Sequence, residues 1–194
     1  MMSRRKISSG FTLIELLITL AIGVVLTMVA IPSLTTFKRN AELTSATNTF
    51  IAAINAARSE AMKRGMNSFV VPTNNGSDWS TGWVIFVDKD RTQTYSPTSD
   101  GTILVQNALP AYFSVTGTNV ATGSTPYIMF DASGYAKTKT GTFGALTITL
   151  TRNDLAGNTQ ADQTRRIIIS KTGRTRTCKP TSTSDASCST SATD

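Results

Sequence analysis

The 194-residue sequence contains no histidine. That removes the side chain most often used as a general base or metal ligand near neutral pH. Cysteine is scarce too, with Cys178 and Cys188 the only two. There is no nucleophile motif, no paired glutamates and no glycine-rich phosphate loop. These gaps argue against an enzyme, and no cofactor is expected. Charged residues make up 16% of the chain and hydrophobic ones 40%. Both shares are compatible with a folded protein rather than a disordered one.

The apolar residues are unevenly spread. A block runs from Phe11 to Ile31, and the rest is rich in Thr, Ser and Gly. As a helix the block is about 31 Å long, enough to cross a bilayer core. It follows a short basic segment, MMSRRKISSG. An ordinary secretory signal places its small-residue cleavage site after the apolar stretch. Here the small residue, Gly10, comes before it. The basic flank should stay cytoplasmic while the remainder is translocated. Glu15 is anomalous, since a carboxylate inside a spanning helix is costly and is kept for a function. It lies one turn from Phe11 and could neutralise an α-ammonium freed by cleavage after Gly10, in a filament that of a neighbouring subunit.

The run Gly10-Phe11-Thr12-Leu13-Ile14-Glu15 resembles the type IV prepilin motif. The resemblance implies cleavage after Gly10 by a prepilin peptidase and N-methylation of Phe11. It also implies assembly with other pilin subunits, Glu15 setting the register. The precursor would sit in the inner membrane as a single-pass protein, its head in the periplasm, before joining an extracellular pilus. A plain membrane anchor would explain the apolar block but not the Gly, Phe and Glu together. Pro32 lacks an N–H and should kink or loosen the helix there.

Residues 33–64 continue without Gly or further Pro. Leu43, Phe50, Ile54, Ala57 and Ala61 recur at helical spacing, which predicts an amphipathic helix whose stripe packs on a sheet. A partner-helix role is the alternative. Gly65 supplies a stop. Beyond it, short β runs alternate with turn residues: 67–72, 82–88, 102–108, 112–116, 127–130, 145–151 and 165–170. The expected organisation is a leader (1–10), a membrane and filament-core helix (11–32), an amphipathic helix (33–64), a β-rich head (65–179) and a mobile tail (180–194). The fold class is α+β, type IV pilin-like, with a long N-terminal helix packed on a β-sandwich-like antiparallel head. Gly82-Trp83-Val84-Ile85-Phe86-Val87-Asp88 resembles the GWxxFxD strand of the GspH/FimT/FimU group of minor pilins and pseudopilins.

Two polar segments are candidate sites. Asp88, Lys89, Asp90 and Arg91 form a charged cluster. Bases interleave the carboxylates and no turn glycine follows, so a solvated hairpin is expected there rather than a metal site. The second segment holds Arg165, Arg166, Lys171, Arg174, Arg176 and Lys179 with no intervening acid. Such a local field suits a polyanion or an acidic membrane surface. Gly173 permits a tight turn. If the stretch beyond it is extended, Arg174 and Arg176 share one face and can contact successive phosphates. Cys178 and Cys188, a close pair in an exported chain, read as a disulfide tethering its far end; two free thiols are the alternative. Gly173-Arg174-Thr175-Arg176 resembles the GRxR motif of FimT-type minor pilins, which implies sequence-independent DNA binding in natural transformation. An edge strand guarded against aggregation by its cations is the competing reading. So are a structural minor pilin that primes assembly and a type II secretion pseudopilin.

Overall fold

The computed structural model describes residues 11–73 and 76–191, without the side chains at positions 29 and 32. The leader, including Gly10, lies outside the described residues, as do residues 192–194. By contacts the chain divides into a unit ending at Ala41 and a second unit, Glu42–Asp194.

Helix α1 spans Leu13–Arg64. It begins where the Thr12 hydroxyl accepts the Glu15 backbone N–H at 3.3 Å, a cap that satisfies one orphan donor of the first turn. Glu15 therefore sits where a carboxylate also meets the positive end of the helix dipole. The helical assignment continues through position 32, so the proline does not end it. The first part of α1 contains a stretch long and apolar enough to cross a membrane. Its large side chains, among them Leu13, Ile14, Leu17 and Leu26, are exposed, as is Phe11 just before it.

In the second unit the stripe read from helical spacing is core. Leu43, Phe50, Ile54, Ala57 and Ala61 are fully buried. They pack against the inner faces of two four-stranded antiparallel sheets. The strands are β1 (Ser68–Pro72), β2 (Trp83–Val87), β3 (Gly101–Gln106), β4 (Phe113–Gly117), β5 (Ile128–Phe130), β6 (Leu146–Arg152), β7 (Thr164–Ile169) and β8 (Thr175–Cys178). A short helix, α2 (Gly157–Asp162), precedes β7. One sheet has the order β3-β2-β1-β5, the other β4-β6-β7-β8. Their inner faces supply Val70, Ile85, Ile128 and Phe130 from the first sheet and Val115, Ile148, Leu150 and Ile167 from the second. Period-two alternation puts these residues inside and leaves the Thr-rich positions on the other faces.

Seven of these strands fall where the alternating runs predicted them, within a few residues. The eighth, β8, turns the conditional extension of Thr175–Cys178 into a strand paired antiparallel to β7.

Within residues 180–191 the C-terminal segment carries local hydrogen bonds. Asp185 accepts the Thr181 and Ser187 backbone N–H groups at 2.9 Å each. The Ser187 hydroxyl, which donates to the same carboxylate at 2.6 Å, and then the Thr181 N–H hold the Asp185 carboxyl well below the usual range. Cys188 is buried and disulfide-bonded to Cys178, with the Cα atoms 5.7 Å apart.

Candidate functional site

The basic segment is built on an outer strand. Sheet order makes β8 an edge, with β7 as its only neighbour among the described strands. Between them Ser170 donates its N–H to the Arg174 carbonyl at 3.0 Å, and Gly173 donates to the Ser170 carbonyl at 2.9 Å. Gly173 has φ 77°, a conformation that L side chains resist. A Cβ placed there would lie 2.2 Å from the Gly134 carbonyl oxygen and 2.9 Å from Arg58 Nε. Gly173 is itself buried, so its part is to shape the turn rather than to touch a ligand.

Register decides which cations share a face. Ile168 is opposite Arg176, and Arg166 is opposite Cys178. Arg166, Ile168, Arg174 and Arg176 are therefore on one face, away from the inner residues Ile167 and Ile169. Arg174 and Arg176 are exposed, as is Lys171 in the turn. Among the described residues no carboxylate forms an ion pair with these three.

The other three basic residues are committed elsewhere. Arg165, expected to extend the patch, is opposite Leu150 and falls on the inner-facing side. Its Nη1 donates to the Thr164 and Asp162 carbonyls at 2.8 and 3.2 Å. Burial pulls its guanidinium below the usual range, and the neighbouring Asp162 opposes that shift. Arg166 keeps the right face, but its Nη1 donates to the Cys188 carbonyl and its Nε is buried. It ties the disulfide segment to β7. Lys179 is exposed and forms an ion pair with Asp162 at 3.0 Å. The acid-free reading of the segment missed Asp162 because it lies just outside the window. The unpaired cationic set is thus Lys171, Arg174 and Arg176.

One residue that helps position the site carried little signal in the sequence. Arg58, an off-stripe charge of α1, donates from Nε to the Gly134 carbonyl at 2.9 Å and from Nη2 to the Thr172 carbonyl at 3.2 Å. It fastens the β7–β8 turn to the helix and to the hairpin that follows β5.

The disulfide closes a short loop, ten residues apart in sequence. Cys178→Ser with Cys188→Ser is expected to lower stability by about 2–3 kcal/mol. Thermal melting of the full chain in uncharged detergent checks this, with a fall of about 5–10 °C expected.

In the acidic cluster Lys89, Asp90 and Arg91 are exposed, as expected of a solvated hairpin, but Asp88 is not. Asp88 and Asp100 are buried, and together with Asp90 they bring carboxylate oxygens within 4.8 Å of one another. Asp100 accepts the Lys89 and Ser96 N–H groups at 3.1 and 2.9 Å. Asp88 accepts from Gln93 N–H at 3.3 Å, and Asp90 from Thr92 N–H at 3.0 Å and the Ser99 hydroxyl at 2.6 Å. Burial raises the Asp88 carboxyl, and Asp100 and Asp90 add repulsion. These bonds latch the long β2–β3 connection.

The family pattern described as type II transport protein GspH matches residues 46–173, and the prokaryotic N-terminal methylation motif matches residues 5–31. The first match ends at Gly173, before β8. No curated protein sequence matches the chain. Among solved structures, the type IV minor pilin FimU of Pseudomonas aeruginosa superposes with a TM-score of 0.53 at 18% identity, over 70% of this chain and 91% of that one. The minor pseudopilin EpsH of the type II secretion system of Vibrio cholerae gives 0.50 at 11% identity, over 73% and 98%. At these identities the likeness is one of fold. The GspH pattern, however, covers well over half of the sequence, and the chain belongs to the GspH family of minor pilins and pseudopilins.

Proposed function

We propose that this minor pilin binds extracellular DNA without sequence preference, through Lys171, Arg174 and Arg176, and serves natural transformation. Membership of the family implies processing by prepilin peptidase and association with other pilin subunits. Cleavage after Gly10 and methylation of Phe11 would release the chain for assembly, its head having first faced the periplasm. Glu15 would meet the new ammonium group of a neighbour.

The observation that carries the DNA reading is the exposure of three unpaired cations on a braced turn and edge strand. Arg174 and Arg176 share a face, and a guanidinium presents a planar fork of donors to phosphate oxygens. Contacts of this kind read charge and backbone spacing, not bases. The disulfide, the Arg58 clamp and the Gly173 turn reduce the ordering cost of binding.

The test is a gel-shift titration of the full chain in uncharged detergent. Arg174→Gln with Arg176→Gln is expected to weaken DNA binding at least tenfold with an unchanged melting temperature. Binding as tight as that of wild type would overturn the proposal. In cells the same variant is expected to keep pili and lose DNA uptake.

A second reading rests on β8 being an open sheet edge. Cations on such an edge also deter pairing with another chain. On that reading the protein is an assembly subunit, and deleting its gene removes pili rather than DNA uptake alone.

A further inference from the structure

We propose that Tyr135 and Phe143 form a base-stacking platform that gives the neighbouring basic turn a preference for single-stranded DNA. This rests on the DNA-binding reading and adds the form of DNA preferred.

The two rings stand on the hairpin after β5. Phe130 is opposite Ala136, and Lys137 is opposite Phe143. Thr138 donates its N–H to the Thr142 carbonyl at 2.8 Å, closing the hairpin tip. The hairpin is joined to the basic turn by Ala136 N–H, which donates to the Lys171 carbonyl at 3.1 Å. Arg58 bridges the same two elements through Gly134 and Thr172. The residues flanking Ala136 and those flanking Lys171 are therefore held at fixed separation.

Tyr135 and Phe143 are 41% and 52% exposed. Two large rings left side by side in water forgo the burial such rings normally gain. They are also preorganised. Their centroids are 5.5 Å apart with an interplanar angle of 73°. Lys137 Nζ lies 3.6 Å from the Phe143 ring centroid and forms an ion pair with Asp131 at 3.9 Å. The cation and the Tyr135 ring fix the orientation of Phe143, while both rings keep much of their surface in water.

Charge selects the occupant. A surface on which exposed rings adjoin the turn carrying Lys171 suits a ligand carrying both flat bases and phosphates. Single strands offer their base faces to aromatic side chains, and such stacking tolerates any sequence. Duplex bases are already stacked on one another, so the rings add nothing to duplex binding.

The experiment compares oligo-dT with a duplex of equal length, using the full chain in uncharged detergent. Tyr135→Leu with Phe143→Leu keeps apolar bulk but removes the π faces. It is expected to lose about tenfold or more in affinity for oligo-dT. Duplex affinity should stay within about twofold, and the swap Tyr135→Phe with Phe143→Tyr should behave as wild type. Equal loss on both DNA forms, or loss on neither, overturns the platform while the DNA-binding reading stands. Loss of self-association at unchanged DNA affinity assigns the rings to a subunit contact and also overturns it. Wild-type protein that binds neither DNA form overturns the DNA-binding reading itself.

Discussion

Phe50→Ala is expected to lower the unfolding free energy by about 3–5 kcal/mol, the largest single loss anticipated for this chain. Phe50 is fully buried on α1 and meets both tryptophans of the head. Its ring lies 5.6 Å from that of Trp79, edge-on, and 4.4 Å from that of Trp83. Trp79 is anchored in turn, its Nε1 donating to the Ala121 carbonyl at 2.9 Å. The cluster joins the helix to both sheets, so neighbouring side chains cannot collapse into the space without moving a strand. A loss of this size takes a large part of a typical domain's 5–15 kcal/mol, roughly speaking. Urea titration of the full chain in uncharged detergent checks it. A midpoint within error of wild type would show that the cluster does not hold the head together.

Gly173→Ala is expected to cost about 3 kcal/mol and to weaken DNA binding as a consequence. Two effects add. The residue has φ 77°, and the new methyl would sit 2.2 Å from the Gly134 carbonyl oxygen. That oxygen belongs to backbone already bound by Arg58, so it cannot easily retreat. Either the β7–β8 turn or the hairpin after β5 must shift. The variant should melt early and lose binding together. Arg174→Gln with Arg176→Gln should lose binding alone. The contrast separates a residue that shapes the site from residues that touch the ligand.

Much of the fold was legible because its signals are local. Gly10-Phe11-Thr12-Leu13-Ile14-Glu15 announces the family within six residues, and the stripe from Leu43 to Ala61 announces a buried helix face. Strands such as β2 and β7 read as apolar runs bounded by turn residues. The site was legible only in part, because membership of a charged surface depends on register and on distant chain. Arg165 and Arg166 look equivalent in sequence, yet adjacent strand residues point to opposite faces. Lys179 is held by Asp162, and Arg58 by carbonyls from two loops far along the chain. Asp100 joins Asp88 only because the β2–β3 connection folds back on itself. None of these pairings leaves a periodic trace that a window of sequence can show.

Salt dependence separates phosphate binding from other contacts, since each phosphate neutralised on duplex DNA adds about −0.9 to the slope of log K against log salt. The measurement is the duplex affinity of the full chain in uncharged detergent across a salt series, for wild type and for Arg174→Gln with Arg176→Gln. With Lys171, Arg174 and Arg176 engaged, the expected wild-type slope is about −3, falling to about −1 in the variant. Equal slopes for the two proteins, or no salt-sensitive association by wild type, would contradict DNA binding by the β8 edge.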